Sequence, residues 1–279
     1  MSMKCPPIGI MLGRLSPPVE GAIQAFPADT WAEEFAKAER AGFAVIEWLW
    51  KIGDEAVNPF WTEEGLERMQ ELQVRHQVAI ESLCADYFMA EPLLRGTAGE
   101  RRARRTQLVG LLRRSRVFKI KRVILPFLDA SKIENDGEKD RMVELINAVI
   151  EEIGPDVPDI LLECSLPPRE FGGLLEEIGQ PRVLVNYDSG NSASLGYDAD
   201  EEFAAYGERI GSVHIKDRVL GGFTVPLGEG DADYPKLLRN LERIGFSGKF
   251  ILEAARSTAG QEGAWAVRNR KFVENWFIA

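Results

Sequence analysis

Val213-His214-Ile215-Lys216-Asp217 reads as one short strand that ends by presenting polar side chains. His214 is one of two histidines in 279 residues. Three carboxylates occupy matching positions: Glu163 closes Ile160-Leu161-Leu162, Asp188 closes Val183-Leu184-Val185-Asn186-Tyr187, and Glu253 closes Phe250-Ile251-Leu252. Short apolar runs of this kind read as strands buried on both faces. Four such strands, each ending in a side chain able to bind a cation, suggest one divalent-metal site at one end of a barrel.

Working outward, the pattern repeats. Strands are predicted at 8–12, 44–48, 77–83, 122–125, 159–163, 182–188, 212–216 and 249–253. Helices are predicted from Thr30 to Ala41, Thr62 to His76, 101–119, 138–153, 168–178, 200–209, 234–244 and 263–277. Thr30-Trp31-Ala32-Glu33 has the form of a capping box, and Gly42 stands where a helix C-terminus takes glycine. Pro126 is expected to close the fourth strand. Eight strands alternating with eight helices imply a parallel sheet with right-handed crossovers, closed into a (β/α)8 TIM barrel. A doubly wound open sheet is the rival, but no Gly-x-Gly-x-x-Gly follows the first strand. No linker or low-complexity stretch interrupts the count, so a single barrel domain over 1–279 is expected.

Composition narrows the function classes. A net charge of −10 argues against nucleic acid as a partner. The three cysteines, Cys5, Cys84 and Cys164, form no CxxC pair and make an odd count, which favours a reducing compartment over a disulfide framework. No apolar run approaches the roughly 18 residues of a membrane span, and Met1-Ser2-Met3-Lys4 lacks the apolar region of a signal peptide. A cytoplasmic protein with no membrane partner is the expectation.

In such a barrel, residues at the C-terminal strand ends converge on the active site. Glu163, Asp188, His214 and Glu253 are separated by 25, 26 and 39 residues, about one βα unit each, so they should stand side by side at the mouth. Any one of them alone would read equally well as a loop cap or ion-pair partner. Together, three carboxylates and one imidazole suit Mn²⁺, Mg²⁺ or Co²⁺, and Zn²⁺ also accepts such ligands. A metal can polarise a bound ketose carbonyl and acidify the neighbouring C–H. One glutamate can remove that proton and a second can return one. Return to the opposite face is epimerisation, and return to the former carbonyl carbon is aldose–ketose isomerisation. Both share an enediolate.

Val213-His214-Ile215-Lys216-Asp217, followed by Val225-Pro226-Leu227-Gly228-Glu229-Gly230-Asp231, resembles the sugar-phosphate isomerase/epimerase family of xylose-isomerase-like barrels. Asp188-Ser189-Gly190-Asn191-Ser192-Ala193 is similar to the strand-six motif of its L-xylulose/L-ribulose 5-phosphate 3-epimerase branch. The resemblance implies a divalent metal held by Glu163, Asp188, His214 and Glu253, with Glu163 and Glu253 as the acid–base pair. It implies 3-epimerisation of a pentulose 5-phosphate. Aldose–ketose isomerisation, polyol dehydration and a non-catalytic metal-dependent sugar-binding protein remain the alternatives. Asn191 stands where free-ketohexose 3-epimerases usually carry a histidine, which counts against that branch, and two histidines are too few for the three zincs of endonuclease IV. Members of this family often pair, so a homodimer is possible.

Glu47, Asn191, Lys216, Asp217 and Arg218 are candidate substrate-binding residues. For a phosphorylated sugar, Arg14, Lys216 and Arg218 are the basic residues best placed at the mouth. Lys216 could equally pair with Asp217 or another loop carboxylate, and Glu47 reads as a sugar-hydroxyl ligand, with support of a metal ligand as the alternative. His76 reads as a surface residue at the opposite end. Ten of the 34 basic residues lie within 101–122 and read as a solvated helix face. Trp48, Trp50 and Trp61 could wall the pocket, pack under a loop or serve an interface. Cys84 and Cys164 read as small packing residues.

Overall fold

The computed structural model describes residues 4–155 and 158–278. Among these, eight parallel strands close into a barrel: β1 (Ile8–Met11), β2 (Val45–Leu49), β3 (Ala79–Cys84), β4 (Arg122–Phe127), β5 (Asp159–Cys164), β6 (Val183–Asp188), β7 (Ile210–Ile215) and β10 (Phe250–Leu252). They lie in chain order around the barrel, with β10 pairing β7 on one side and β1 on the other. A two-stranded antiparallel hairpin, β8 (Asp217–Arg218) with β9 (Thr224–Val225), stands beyond β7.

Helices α1 (Trp31–Ala41), α2 (Glu63–His76), α4 (Ala98–Val117), α5 (Asp136–Ile153), α6 (Pro168–Ile178), α8 (Ala199–Tyr206), α9 (Tyr234–Arg243) and α10 (Glu262–Glu274) make the crossovers. In α6 the apolar side chains Phe171, Leu174, Leu175 and Ile178 recur at i, i+3, i+4 and i+7, and all four are buried. Gly42 ends α1 at φ 78°, a left-handed position that glycine adopts without a Cβ penalty. No described helix is long and apolar enough to cross a membrane.

Several local expectations are corrected. The capping box at Thr30 does not form, because its hydroxyl donates to Ser16 Oγ at 2.7 Å, tying α1 to the loop after β1. Pro126 does not end β4 but lies within it, in register with Glu163. Two short helices were not expected: α3 (Tyr87–Ala90) after β3 and α7 (Ser189–Leu195) directly after β6. The tryptophans pack beneath loops rather than lining a pocket. Trp48 is fully buried and donates to Asn58 Oδ1, and Trp50 stacks on Tyr87 at 4.2 Å between ring centroids.

Candidate active site

Register sets the first contacts. Asp188 on β6 pairs with His214 on β7, and His214 pairs with Ile251 on β10, two residues before Glu253. Donor atoms of Glu163, Asp188 and His214 all lie within 4.8 Å of one another. Glu253 Oε2 is 2.9 Å from His214 Nδ1, and Glu163 Oε2 is 3.5 Å from the same nitrogen. The four residues named from sequence are therefore gathered at one place.

The imidazole is held from behind. His214 Nε2 is 2.6 Å from Glu47 Oε1, and Glu47 Oε2 accepts a hydrogen bond from Ser82 Oγ at 2.5 Å. All three side chains are buried. A carboxylate only accepts, so Nε2 donates and Nδ1 is the nitrogen turned toward the acids. Of the two readings open to Glu47, sugar ligand or support for a metal ligand, its buried contact with His214 Nε2 fits the second. A second outer contact comes from two amides. Asn186 Nδ2 donates to Glu163 Oε2 at 2.6 Å, and Asn191 Nδ2 donates to both Glu163 Oε1 (2.7 Å) and Asp188 Oδ2 (3.0 Å). Asn186 was not anticipated, because a polar residue inside an apolar strand carries no mark of which way it points.

Asn191, Asp217 and Arg218, also candidate substrate ligands, are engaged with the protein itself. Asn191 is committed to two acids, and its own carbonyl oxygen accepts from Arg218 Nη1 at 2.8 Å. Arg218 also donates twice to the carbonyl of Gly222 within its own hairpin. Asp217 is fully buried and accepts the backbone N–H groups of Gly228, Gly230 and Ala232, so it folds the loop after β9. Lys216 stands at the edge of the acids: its Nζ donates to Glu253 Oε1 at 2.8 Å and stands 3.4 Å from Asp188 Oδ2. Its stem passes so close to α7 that a Cβ on Gly190 would lie 2.7 Å from Lys216 Cγ. His76 is distant from this group and pairs with Glu39 at 2.7 Å.

Crowded acids shift each other's protonation. Burial, then the charge of Asp188, pushes the Glu163 carboxyl up to about 8. Burial acts the same way on Glu253, but Lys216, His214 and Arg14 outweigh it and hold its carboxyl well below the usual carboxylate range. Burial pulls His214 down, yet Glu47, Glu253 and Glu163 together raise its pKa well above the ordinary value. Lys216 is raised by Asp188, Glu253 and Glu163 against the pull of burial. Glu163, His214 and Lys216 answer the negative charge gathered at one point, which is what a bound cation would neutralise.

The donor set fits a divalent ion. His214 Nδ1 is a buried polar atom with no aligned hydrogen-bond partner. It faces carboxylates already locked by amides, while its other nitrogen is fixed by a carboxylate, the arrangement typical of metal-binding histidines. Glu163, Asp188, His214 and Glu253 are the residues that could hold such an ion.

Beside this cluster opens a cavity of about 370 Å³, walled by residues from the C-terminal ends of β2 to β5, together with Glu163, Lys216 and Glu253. That volume suits a small metabolite. The opposite wall carries Gln24, Lys51, Asp86 and Asp129. None of these was singled out from sequence, although Lys51 and Asp86 each stand two residues beyond a barrel strand.

The chain matches the family model described as "Xylose isomerase-like TIM barrel" over residues 35–276. L-ribulose-5-phosphate 3-epimerase UlaE of Shigella boydii is 25% identical to it over 266 residues, covering 90% of this chain and 92% of that protein. Among solved structures, the IOLI protein with a bound zinc atom superposes with a TM-score of 0.76 at 18% identity, over 98% of this chain and 99% of that one. D-allulose 3-epimerase from Methylomonas sp., in complex with D-allulose, superposes with a TM-score of 0.73 at 15% identity, over 98% of each chain. With a closed eight-stranded parallel barrel and a family match across most of its length, this chain belongs to the xylose isomerase-like TIM barrels.

Proposed function

We propose that this chain is a divalent-metal-dependent 3-epimerase of a ketose. The observation that carries the proposal is the pairing of two glutamates, Glu163 and Glu253, around His214 Nδ1, with both glutamates also lining the one cavity. Epimerisation next to a carbonyl needs one base to take the proton and an acid elsewhere to return it. Glu163 and Glu253 sit on β5 and just beyond β10, separated around the barrel by β6 and β7, so they can address a sugar from two sides. A bound divalent ion would supply polarisation of the ketone and stabilise the developing enediolate.

In this reading Glu163 and Glu253 hold and move the C3 proton, and Asp188 and His214 complete the ion's ligands. Asn186 and Asn191 orient Glu163. Lys216, hydrogen-bonded to Glu253, is placed to donate to a sugar oxygen. The relatives support the reaction class, since one is named an L-ribulose-5-phosphate 3-epimerase and a neighbour in fold is a D-allulose 3-epimerase.

The test is proton NMR in D₂O on a panel of ketoses, free and phosphorylated, with Mg²⁺ and again after chelation. Metal-dependent deuterium at C3 is the expected result. Deuterium at C1 or C2 would move the assignment to isomerisation, and binding without exchange would make the protein a sugar-binding module. Glu163→Gln and Glu253→Gln should each lower exchange by roughly 10²- to 10⁴-fold while sugar binding persists.

A further inference from the structure

We infer that the cavity selects an unphosphorylated ketose, with Asp86 as its specificity-determining residue. This deepens the ketose reading above and rests on it. It departs from the phosphorylated substrate in the name of the curated relative.

Charge on the wall is the first argument. Asp86, Asp129, Glu163 and Glu253 face the cavity against Lys51 and Lys216. With Asp188 and Arg14, which touch the same group, five formal negative charges stand against three positive, a balance that one divalent cation completes without an anionic ligand. A phosphate ester would add a further charge of about −1.5 to −2.

The second argument is that the amides at the start of α7 and in the loop after β9, and the arginines beside the acids, are already engaged within the protein. Anion sites are usually built from backbone amides at helix starts and nests, or from Arg and Lys. The amides of Gly190 and Asn191 at the start of α7 are capped by Asp188, and those of Gly228, Gly230 and Ala232 are held by Asp217. Arg14 donates to the Ile23 carbonyl and to Gln24 Oε1 and lies 3.7 Å from Glu253. Arg218 serves its own hairpin and Asn191, and the charge of Lys216 is already matched by Glu253 and Asp188.

What remains on the far wall suits hydroxyls. Lys51 Nζ donates to the Gln24 carbonyl at 2.7 Å, and Gln24 Nε2 donates to Asp86 Oδ2 at 3.0 Å. Asp86 Oδ1 receives only the weak thiol donor of Cys84, at 3.2 Å. A carboxylate offers about four acceptor positions and an ammonium three donors, so both retain capacity toward the cavity. A hydroxyl can donate to Asp86 and accept from Lys51. A phosphate in the same place meets Asp86 and Asp129 as like charges, a contact that disfavours the wrong ligand strongly.

The test is calorimetric titration of the Mg²⁺-loaded chain with matched pairs of free ketopentoses and ketohexoses and their phosphate esters, and with inorganic phosphate. The expected result is that at least one free ketose binds roughly tenfold or more tighter than its ester, and that phosphate does not compete. Asp86→Ala should weaken the free sugar roughly tenfold and narrow the gap to the ester. Asp86→Asn, which keeps the shape and the Gln24 contact, should narrow the gap with an unchanged melting temperature. An ester that binds as tightly as its free partner, or no binding by any free ketose, overturns the inference. Deuterium exchange read in parallel separates the two readings: exchange confined to esters removes the selectivity and keeps the epimerase, whereas selective binding without exchange does the reverse.

Discussion

His214 shows how one residue can be legible and its setting hidden. Its place at a strand end marks it as a candidate ligand, but the carboxylate that orients it, Glu47, is 167 residues away in sequence, on β2, with β10 and β1 between that strand and β7. Outer carboxylates of this kind usually affect metal affinity by 10- to 100-fold. Glu47→Gln is therefore expected to weaken Mn²⁺ or Zn²⁺ binding by about that factor, read by competition with a chromophoric chelator, while the barrel still folds. A second buried acid gives a pH prediction. Glu34 on α1 accepts the N–H of Gly13 at 2.8 Å, and burial pushes its carboxyl up to about 7. The unfolded chain loses that proton near 4.5, so the stability it contributes is full below the unfolded value and is lost as pH rises through about 7. A difference of about 2.5 pK units is worth about 3 kcal/mol. Glu34→Gln should flatten this decline, seen as urea midpoints that change less between about pH 5 and pH 8 than those of the parent.

At the scale of elements, Asp217 turns a loop into a fixed wall. The β8–β9 hairpin and the run after it would present several unpaired amides to the mouth, and one carboxylate collects three of them. Gly230 permits the approach, since a Cβ there would lie 2.2 Å from Asp217 Oδ1. Asp217→Ala is expected to cost about 3 kcal/mol, as hydrogen bonds to a charged, buried acceptor are lost together. Hydrogen exchange at Gly228, Gly230 and Ala232 should accelerate well beyond that of the β7 amides. The same element explains why Asp217 and Arg218 read as substrate ligands from sequence. Both follow His214 closely, but the chain turns into a hairpin at Asp217, where Asp217 is buried against loop amides and Arg218 is held by Gly222 and Asn191. Helix α7 is similar: Ser189 to Leu195 follows β6 without a break because Asp188 caps the amides of Gly190 and Asn191, a role invisible when Asp188 is read only as a ligand.

Across the whole molecule, the site gathers more acid than the protein alone neutralises. Glu163, Asp188, Glu253 and Glu47 converge on His214, with Lys216 and Arg14 as the nearby cations. Loading with a divalent ion should raise stability by about 2.7 kcal/mol at a concentration 100 times its Kd, and chelation should lower the melting temperature accordingly. A chain bearing His214→Asn should show little of this metal-dependent shift. The sequence by itself determined the barrel and the four converging side chains, because alternating apolar strands and amphipathic helices leave few topologies, and equal spacing places equivalent strand ends at one mouth. It did not determine which polar neighbours face the cavity. Glu47 supports His214, Asn186 and Asn191 support the acids, Asp217 and Arg218 organise a loop, and Lys51 and Asp86 line the opposite wall, and only the closure of the barrel decides among these. Strand order brings β2 across from β7, and the turns after β2 and β3 fold over the opening, so contacts distant in sequence select each side chain's partner.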